Sequence, residues 1–272
     1  MVQEILGITA DGIWGPKSQQ ALIEFQKERG LVPDGIIGRK TIEALGLLDT
    51  DLTNKNLLIE NYFLDKGQYL DGFYENDYIF IHHTGGWDNP YDTVNIWNTD
   101  SLGRVGAEFV IGGINPKTGV KTYDGKIIKA YPDNKQAYHL GTNNNYLNTH
   151  SVGIEMCNIG WVKNGKVYTG AKIKNEYITT TEPFRGYTQW QAYSDEQLKS
   201  LRKLLLFIAD RDNIDLHEGL YKRLKQNYRT AFDFSDDAIK GRIKGLLSHS
   251  NVRADKFDCS PQKKLIELIL SL

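Results

Sequence analysis

The sequence predicts an α/β domain, a mixed β-sheet flanked by helices, preceded by a small all-helical unit. Three observations carry this expectation. Short apolar runs, YIFIHH (78–83), AEFVIGG (107–113) and SVGIEMCNIG (151–160), have the length and composition of buried strands. An amphipathic stretch, SDEQLKSLRKLLLFIAD (194–210), has helical spacing. Residues 1–48 instead echo a turn-and-helix unit twice.

Composition bounds the rest. A chain of 272 residues suits one large domain and one small one. With 40% hydrophobic and 25% charged residues, a packed core is feasible and global disorder is excluded. A net charge of −1 gives no electrostatic footing for nucleic acid or an anionic membrane, so a bound polymer would be recognised by shape and hydrogen bonds. No run approaches the ~18 apolar residues of a membrane span. The opening MVQEILGITADG lacks the basic and then apolar pattern of a signal peptide, so synthesis in the cytoplasm is expected. The two cysteines, Cys157 and Cys259, are too few for a disulfide scaffold. Fifteen tyrosines and five tryptophans would suit a carbohydrate surface, although such rings more often fill cores.

In chain order, DGIWGPKSQQAL (11–22) returns as DGIIGRKTIEAL (34–45). Each Asp-Gly is turn chemistry, with Gly supplying positive φ, and Ser18 or Thr41 is expected to open a helix. Ala21, Leu22 and Phe25 then share a helical face. The polar stretch DTDLTNKNLLIE (49–60) reads as a linker, leaving 61–272 as the large domain. Beyond the first two strand runs, KTYDGKIIKAYP (121–132) reads as a hairpin around Asp124-Gly125. Ser194 and Gln197 form a capping-box pattern ahead of the long helix, and PQKKLIELILSL (261–272) reads as a shorter helix after Pro261. Residues 162–193 and 211–245 are polar and tyrosine-rich, and are expected as insertions on the rim.

Candidate chemistry begins with six histidines. His82 and His83 end a strand, where successive side chains point to opposite faces, so both cannot look into one site. His249 opens SHSNVRADKFDCSP (248–261), with Lys256, Asp258 and Cys259 close behind. Two such loops could supply the three protein ligands of a catalytic zinc, but spacing alone is a weak signal and favours the blander reading of satisfied loop histidines.

The repeat D-G-x-x-G-x-K-[ST] around a central Phe25-Gln26 resembles the peptidoglycan-binding type-1 domain, with its first helix shortened to the residues before the first repeat. IFIHHTGG, AEFVIGG with DGKIIKAYP, AYHLGTNNNYLNTHSVGIEM and SHSNVRADKFDCSP, in that order, resemble the zinc N-acetylmuramoyl-L-alanine amidases of the type-2 amidase family, which share their fold with peptidoglycan recognition proteins. That resemblance implies the type-2 amidase fold, a Zn2+ cofactor and peptidoglycan as partner and substrate. It implies His82 and His249 as metal ligands, with His83 facing away. It further implies Glu155 as the carboxylate that takes a proton from a zinc-activated water, and Lys256 as a stabiliser of the oxyanion. His139 and Asn143 would bind substrate.

Two positions depart from the pattern. Glu108 stands where the family usually carries a histidine. The third ligand is Asp258 or Cys259; the family's lysine lies two residues before its ligand, and Lys256-Phe257-Asp258 keeps that step. A monomeric phage endolysin or bacterial autolysin is the leading expectation. A non-catalytic peptidoglycan receptor on the same fold and a cysteine-dependent wall peptidase are the alternatives. Retention of Glu155 and Lys256 weighs against the first, and the absence of a helix start after either cysteine weighs against the second.

Overall fold

The computed structural model describes residues 2–10, 14–35, 41, 44–46, 57–72 and 75–272. They belong to two compact units, Met1–Asn56 and Leu57–Leu272. Residues 11–13 of the first repeat, 36–40, 42 and 43 of the second, and 49–56 of the expected linker lie outside the described residues.

In the first unit, α1 (Val2–Ile5) precedes α2 (Pro16–Glu28). Pro16 suits the first turn of a helix, where its missing N–H would have had no partner. Ser18 does not cap this helix: Gly15 holds the N-cap position, and Ser18 lies buried one turn in, accepting from Gln3 Nε2 at 3.2 Å. Ser18, Leu22 and Gln26 form the buried face, whereas Ala21 and Phe25 are only partly buried. Gln26 ties the two repeats together. It donates to Asp34 Oδ1 (2.9 Å) and Thr41 Oγ1 (3.1 Å), and accepts from Gly35 N–H at 2.8 Å. Gly35 has φ +68°, the conformation expected of that Asp-Gly turn.

The second unit is built on a mixed six-stranded sheet. Its order is β1 (Ile59–Asn61), β5 (Ile127–Lys129), β4 (Phe109–Ile111), β7 (Ser151–Met156), β3 (Tyr78–His83), β12 (Gly245–Ser248). Strands β4, β7, β3 and β12 are mutually parallel, and β5 turns antiparallel against β4. Ile59 and Glu60, expected in the linker, start β1. The expected hairpin at 121–132 is not formed. Residues 122–125 are turn, and β5 pairs back onto β4, with Gly112 N–H donating to Lys126 C=O at 2.8 Å. The Asp-Gly signal marked a real turn, with Gly125 at φ +76°, but not the strands on either side of it.

The remaining strands form smaller sheets. β2 (Leu70–Asp71) pairs with β6 (Lys135–Gln136). β8 (Trp161–Lys163), β9 (Lys166–Val167), β10 (Tyr177–Phe184) and β11 (Tyr187–Gln191) form an antiparallel sheet. The helices are α3 (Pro90–Asn98), α4 (Asn145–Thr149), α5 (Asp195–Asp212), α6 (Leu220–Asn227), α7 (Asp236–Ile239), α8 (His249–Val252) and α9 (Lys263–Leu270).

Strand alternation divides the interior. Ile79, Ile81, Val152 and Ile154 pack with Leu201, Leu205 and Ile269 on one face. Tyr78 and Phe80 pack with Leu140, Leu147 and Val252 on the other. Segments 162–193 and 211–245 are not rim insertions: Trp190, Leu220, Leu224 and Phe232 are buried in the first of these cores. Their apolar residues are spaced singly among polar ones, which hid the contribution. At α5, Ser194 accepts from Gln197 N–H (3.0 Å), but the Gln197 side chain donates to Cys157 C=O (2.8 Å) instead of completing the box.

Candidate metal centre

The site forms where β3 and β12 end. Ser248 is level with Ile81 in the parallel register, so the next residue on each strand, His249 and His82, comes side by side. A capping box formed by Ser248 and Asn251 stops β12 abruptly and starts α8, fixing His249 at the helix's first position. The loop after α8 is anchored by Ser250 N–H donating to Asp258 C=O (3.0 Å) and turns the Asp258 side chain back toward both histidines.

His82, His249 and Asp258 are all buried, and one ligand atom from each lies within 4.8 Å of the other two. Their orientations converge. His249 Nε2–H donates to Leu140 C=O at 2.9 Å, leaving Nδ1 facing Asp258 Oδ2 at 3.0 Å. His82 Nδ1 lies 3.3 Å from the same oxygen and, although buried, makes no hydrogen bond. Burial, and then the nearby His249, pull the His82 imidazole down to about 4, so it is neutral at physiological pH. Two imidazole nitrogens and one carboxylate oxygen converging in a buried space suit a borderline-soft dication, and match the three-ligand set of catalytic zinc. A buried nitrogen without a partner is costly unless something occupies its lone pair. The donor set therefore fits zinc.

His83 faces the other way, as strand alternation requires. Its Nδ1 meets Tyr193 Oη at 2.9 Å, and its ring lies 6.3 Å from Trp190 and from Phe257. Cys259 is also on that side, buried and hydrogen-bonded to Tyr193. The geometry thus brings Asp258, not Cys259, to the two histidines. Both thiols are buried, and burial pushes them above their ordinary range, which disfavours the thiolate that a cysteine peptidase needs.

Glu155 shares the face of His82: the two are Cα partners across β3 and β7. Its Oε2 is buried with no hydrogen-bond partner. Burial, and next the charge of Asp258, push this carboxyl well above the usual range, with Lys256 opposing. Lys256 and His249 line a cleft of about 670 Å³ whose walls include Arg104, Leu102 and Arg253. His139 also lines the cleft, but both of its ring nitrogens are engaged, with His82 Nε2 (3.0 Å) and Ser151 Oγ (2.8 Å). Asn143 is exposed and does not line that cleft; its neighbour Asn144 is committed to capping α4. Glu108 takes no part in the trio. It is buried in a bidentate pair with Arg211 (2.6 and 3.1 Å) beside Lys129.

Sequence reasoning missed Arg253 and Ser151. Arg253 was legible within the SHSNVRADKF stretch, where it donates to Gly141 C=O and Asp255. Ser151 carried no signal, since a serine opening a strand is unremarkable until its partner is known.

The N-acetylmuramoyl-L-alanine amidase family profile matches residues 73–258, and a peptidoglycan binding domain profile matches residues 4–45. No curated protein matches the chain. Among solved structures, PlyL is 12% identical, covering 78% of this chain and 96% of its own, with a TM-score of 0.43. The endolysin N-acetylmuramoyl-L-alanine amidase LysCS from Clostridium intestinale URNW is 16% identical, covering 74% and 86%, with a TM-score of 0.41. With that profile spanning the strands and loops that carry His82, Glu155, His249 and Asp258, the chain belongs to the N-acetylmuramoyl-L-alanine amidase family.

Proposed function

We propose that this peptidoglycan amidase hydrolyses the bond between N-acetylmuramic acid and L-alanine of the stem peptide, using zinc held by His82, His249 and Asp258. The observation that carries the reading is the unpartnered, buried His82 Nδ1 facing Asp258 beside His249. Zinc bound there supplies Lewis acidity, which can lower the pKa of water to about 7. Glu155, with a free buried carboxylate oxygen on the His82 face, accepts the proton of the attacking water and returns it to the departing alanine amine. Its raised proton affinity suits both halves of that transfer. Lys256, on the cleft wall, offers an ammonium to the oxyanion that develops on the lactyl carbonyl.

Residues 1–48 bind the wall and hold the catalytic residues, all beyond residue 60, near their substrate. Every proposed ligand and catalytic group comes from one chain, so the site needs no residue from a second copy. Among the described residues no helix is long and apolar enough to cross a membrane. An endolysin made in the cytoplasm and acting on the wall after release is the role these features support. The test is mass spectrometry of muropeptides after digestion with zinc and with chelator. Free N-terminal L-alanine on stem peptides, appearing only with metal, is the expected result. Cleavage at any other bond would overturn the reading.

A further inference from the structure

Beyond the ligands themselves, the hydrogen bonds behind His82 determine which of its nitrogens is free. A carbonyl oxygen can only accept, so the Ser151 hydroxyl must donate its single proton to Leu147 C=O. Ser151 Oγ, 2.8 Å from His139 Nε2, is then left as an acceptor, and His139 Nε2 must carry the hydrogen. An uncharged imidazole carries a single ring hydrogen, so with Nε2 donating to Ser151 Oγ the Nδ1 of His139 is a bare lone pair. At 3.0 Å from His82 Nε2, that lone pair requires a donor, which places the hydrogen of His82 on Nε2. His82 Nδ1 is thereby kept unprotonated and aimed at Asp258.

We propose that His139 is a positioning residue: with Ser151 and Leu147 C=O it forms a directional relay that fixes the tautomer and ring orientation of His82. The backbone makes room for it. A Cβ at Gly153 would lie 2.9 Å from His139 Cγ and 3.0 Å from its Nδ1, so only glycine at this strand position lets the imidazole lie against β7. The two rings meet edge to face, with centroids 5.1 Å apart at 85°, the arrangement that points a ring N–H at a neighbouring nitrogen. Outer hydrogen-bond partners of metal-binding histidines are commonly worth ~10–100-fold in metal affinity. His249 reaches the same end by a shorter route, donating directly to Leu140 C=O. This inference rests on the zinc reading for its benefit to the enzyme, but not for its geometry.

The experiment reads the two apart. Long-range 1H–15N NMR of the zinc-free, full-length protein should show His82 and His139 both protonated at Nε2. A His82 signal protonated at Nδ1 would overturn the relay. His139→Ala should then give mixed His82 tautomers and weaken zinc binding, measured by competition with a chromophoric chelator, by about 10–100-fold. His139→Gln, whose side-chain oxygen can accept from His82 Nε2–H, should recover most of that loss. If His139→Ala does not fold, Ser151→Ala, which removes the last link and leaves both rings in place, should show the same two effects in weaker form. Wild-type zinc affinity and an unchanged His82 spectrum in the folded variants would sink the proposal. A wild-type protein that takes up no zinc while showing the expected tautomers would sink the zinc reading instead.

Discussion

Glu155 and His82 are register partners in the parallel pair β7–β3, so a carboxylate and an imidazole project from the same face at the same height. One strand carries the proposed metal ligand and its neighbour carries the proposed base. Their spacing is set by the ladder between two fully paired central strands rather than by a loop.

Glu155→Gln should retain zinc and lose activity by ~10²–10⁴-fold, the usual range for a general base. The amide nearly matches the carboxylate in shape but cannot take the proton. Zinc content by atomic absorption alongside muropeptide turnover checks this. Activity within a few-fold of wild type at equal zinc content would remove Glu155 from the mechanism.

The same substitution should stabilise the zinc-free protein at neutral pH. Burial raises the folded pKa of Glu155 above its unfolded value near ~4.3, so its ionised form costs stability in the folded state. That cost is absent below the unfolded pKa and grows as pH rises toward the folded one. Thermal unfolding in chelator should show the variant melting a few degrees higher at pH 7–8, where ~1 kcal/mol moves Tm by roughly 2–4 °C in a domain of this size. The two curves should meet below about pH 4. A variant less stable than wild type at neutral pH would contradict a strained carboxylate.

Asp258→Ala should lose both zinc and activity, whereas Cys259→Ser should keep both and lose some stability. The carboxylate of Asp258 lies among the imidazoles, and the thiol of Cys259 lies against Tyr193 in a buried pocket. Metal content of the two purified variants decides the matter, and the reverse pattern would move the third ligand.

A protein truncated to begin at Leu57, the first residue of the second compact unit, should fold and cleave soluble muropeptides at near the full-length rate. On intact sacculi it should bind more weakly, on the order of 10²-fold, because tethering supplies effective concentration rather than chemistry. Equal binding to sacculi by pelleting assay would show that the first unit contributes no wall affinity.

Much of this site could be read from the sequence because its elements announce themselves locally. YIFIHH could only be a buried strand, and alternation along it already separated His82 from His83. The step from Lys256 to Asp258 favoured the carboxylate over the thiol, and the cluster of His82, His249 and Asp258 is consistent with that choice. What stayed hidden depended on distant partners. Trp190 is fully buried, yet it stands among Thr188, Gln189 and Gln191, a polar run that reads in sequence as a surface loop. Gln197 looked like half of a capping box until Cys157 C=O came within reach of its side chain. His139 has the composition of a substrate ligand, and only its distances to His82 and Ser151 show both nitrogens engaged.

Strand β12, His249 and Asp258 all come late in the chain, yet β12 completes the edge of the sheet beside β3. A ribosome therefore delivers the wall-binding unit, His82 and Glu155 long before the segment that joins them into a site. Any product interrupted before Asp258 lacks one corner of the trio, and one interrupted before Gly245 also leaves β3 with an open edge. On the proposed mechanism such fragments should be inactive, because only chains that reach Asp258 can bring His82, His249 and Asp258 together.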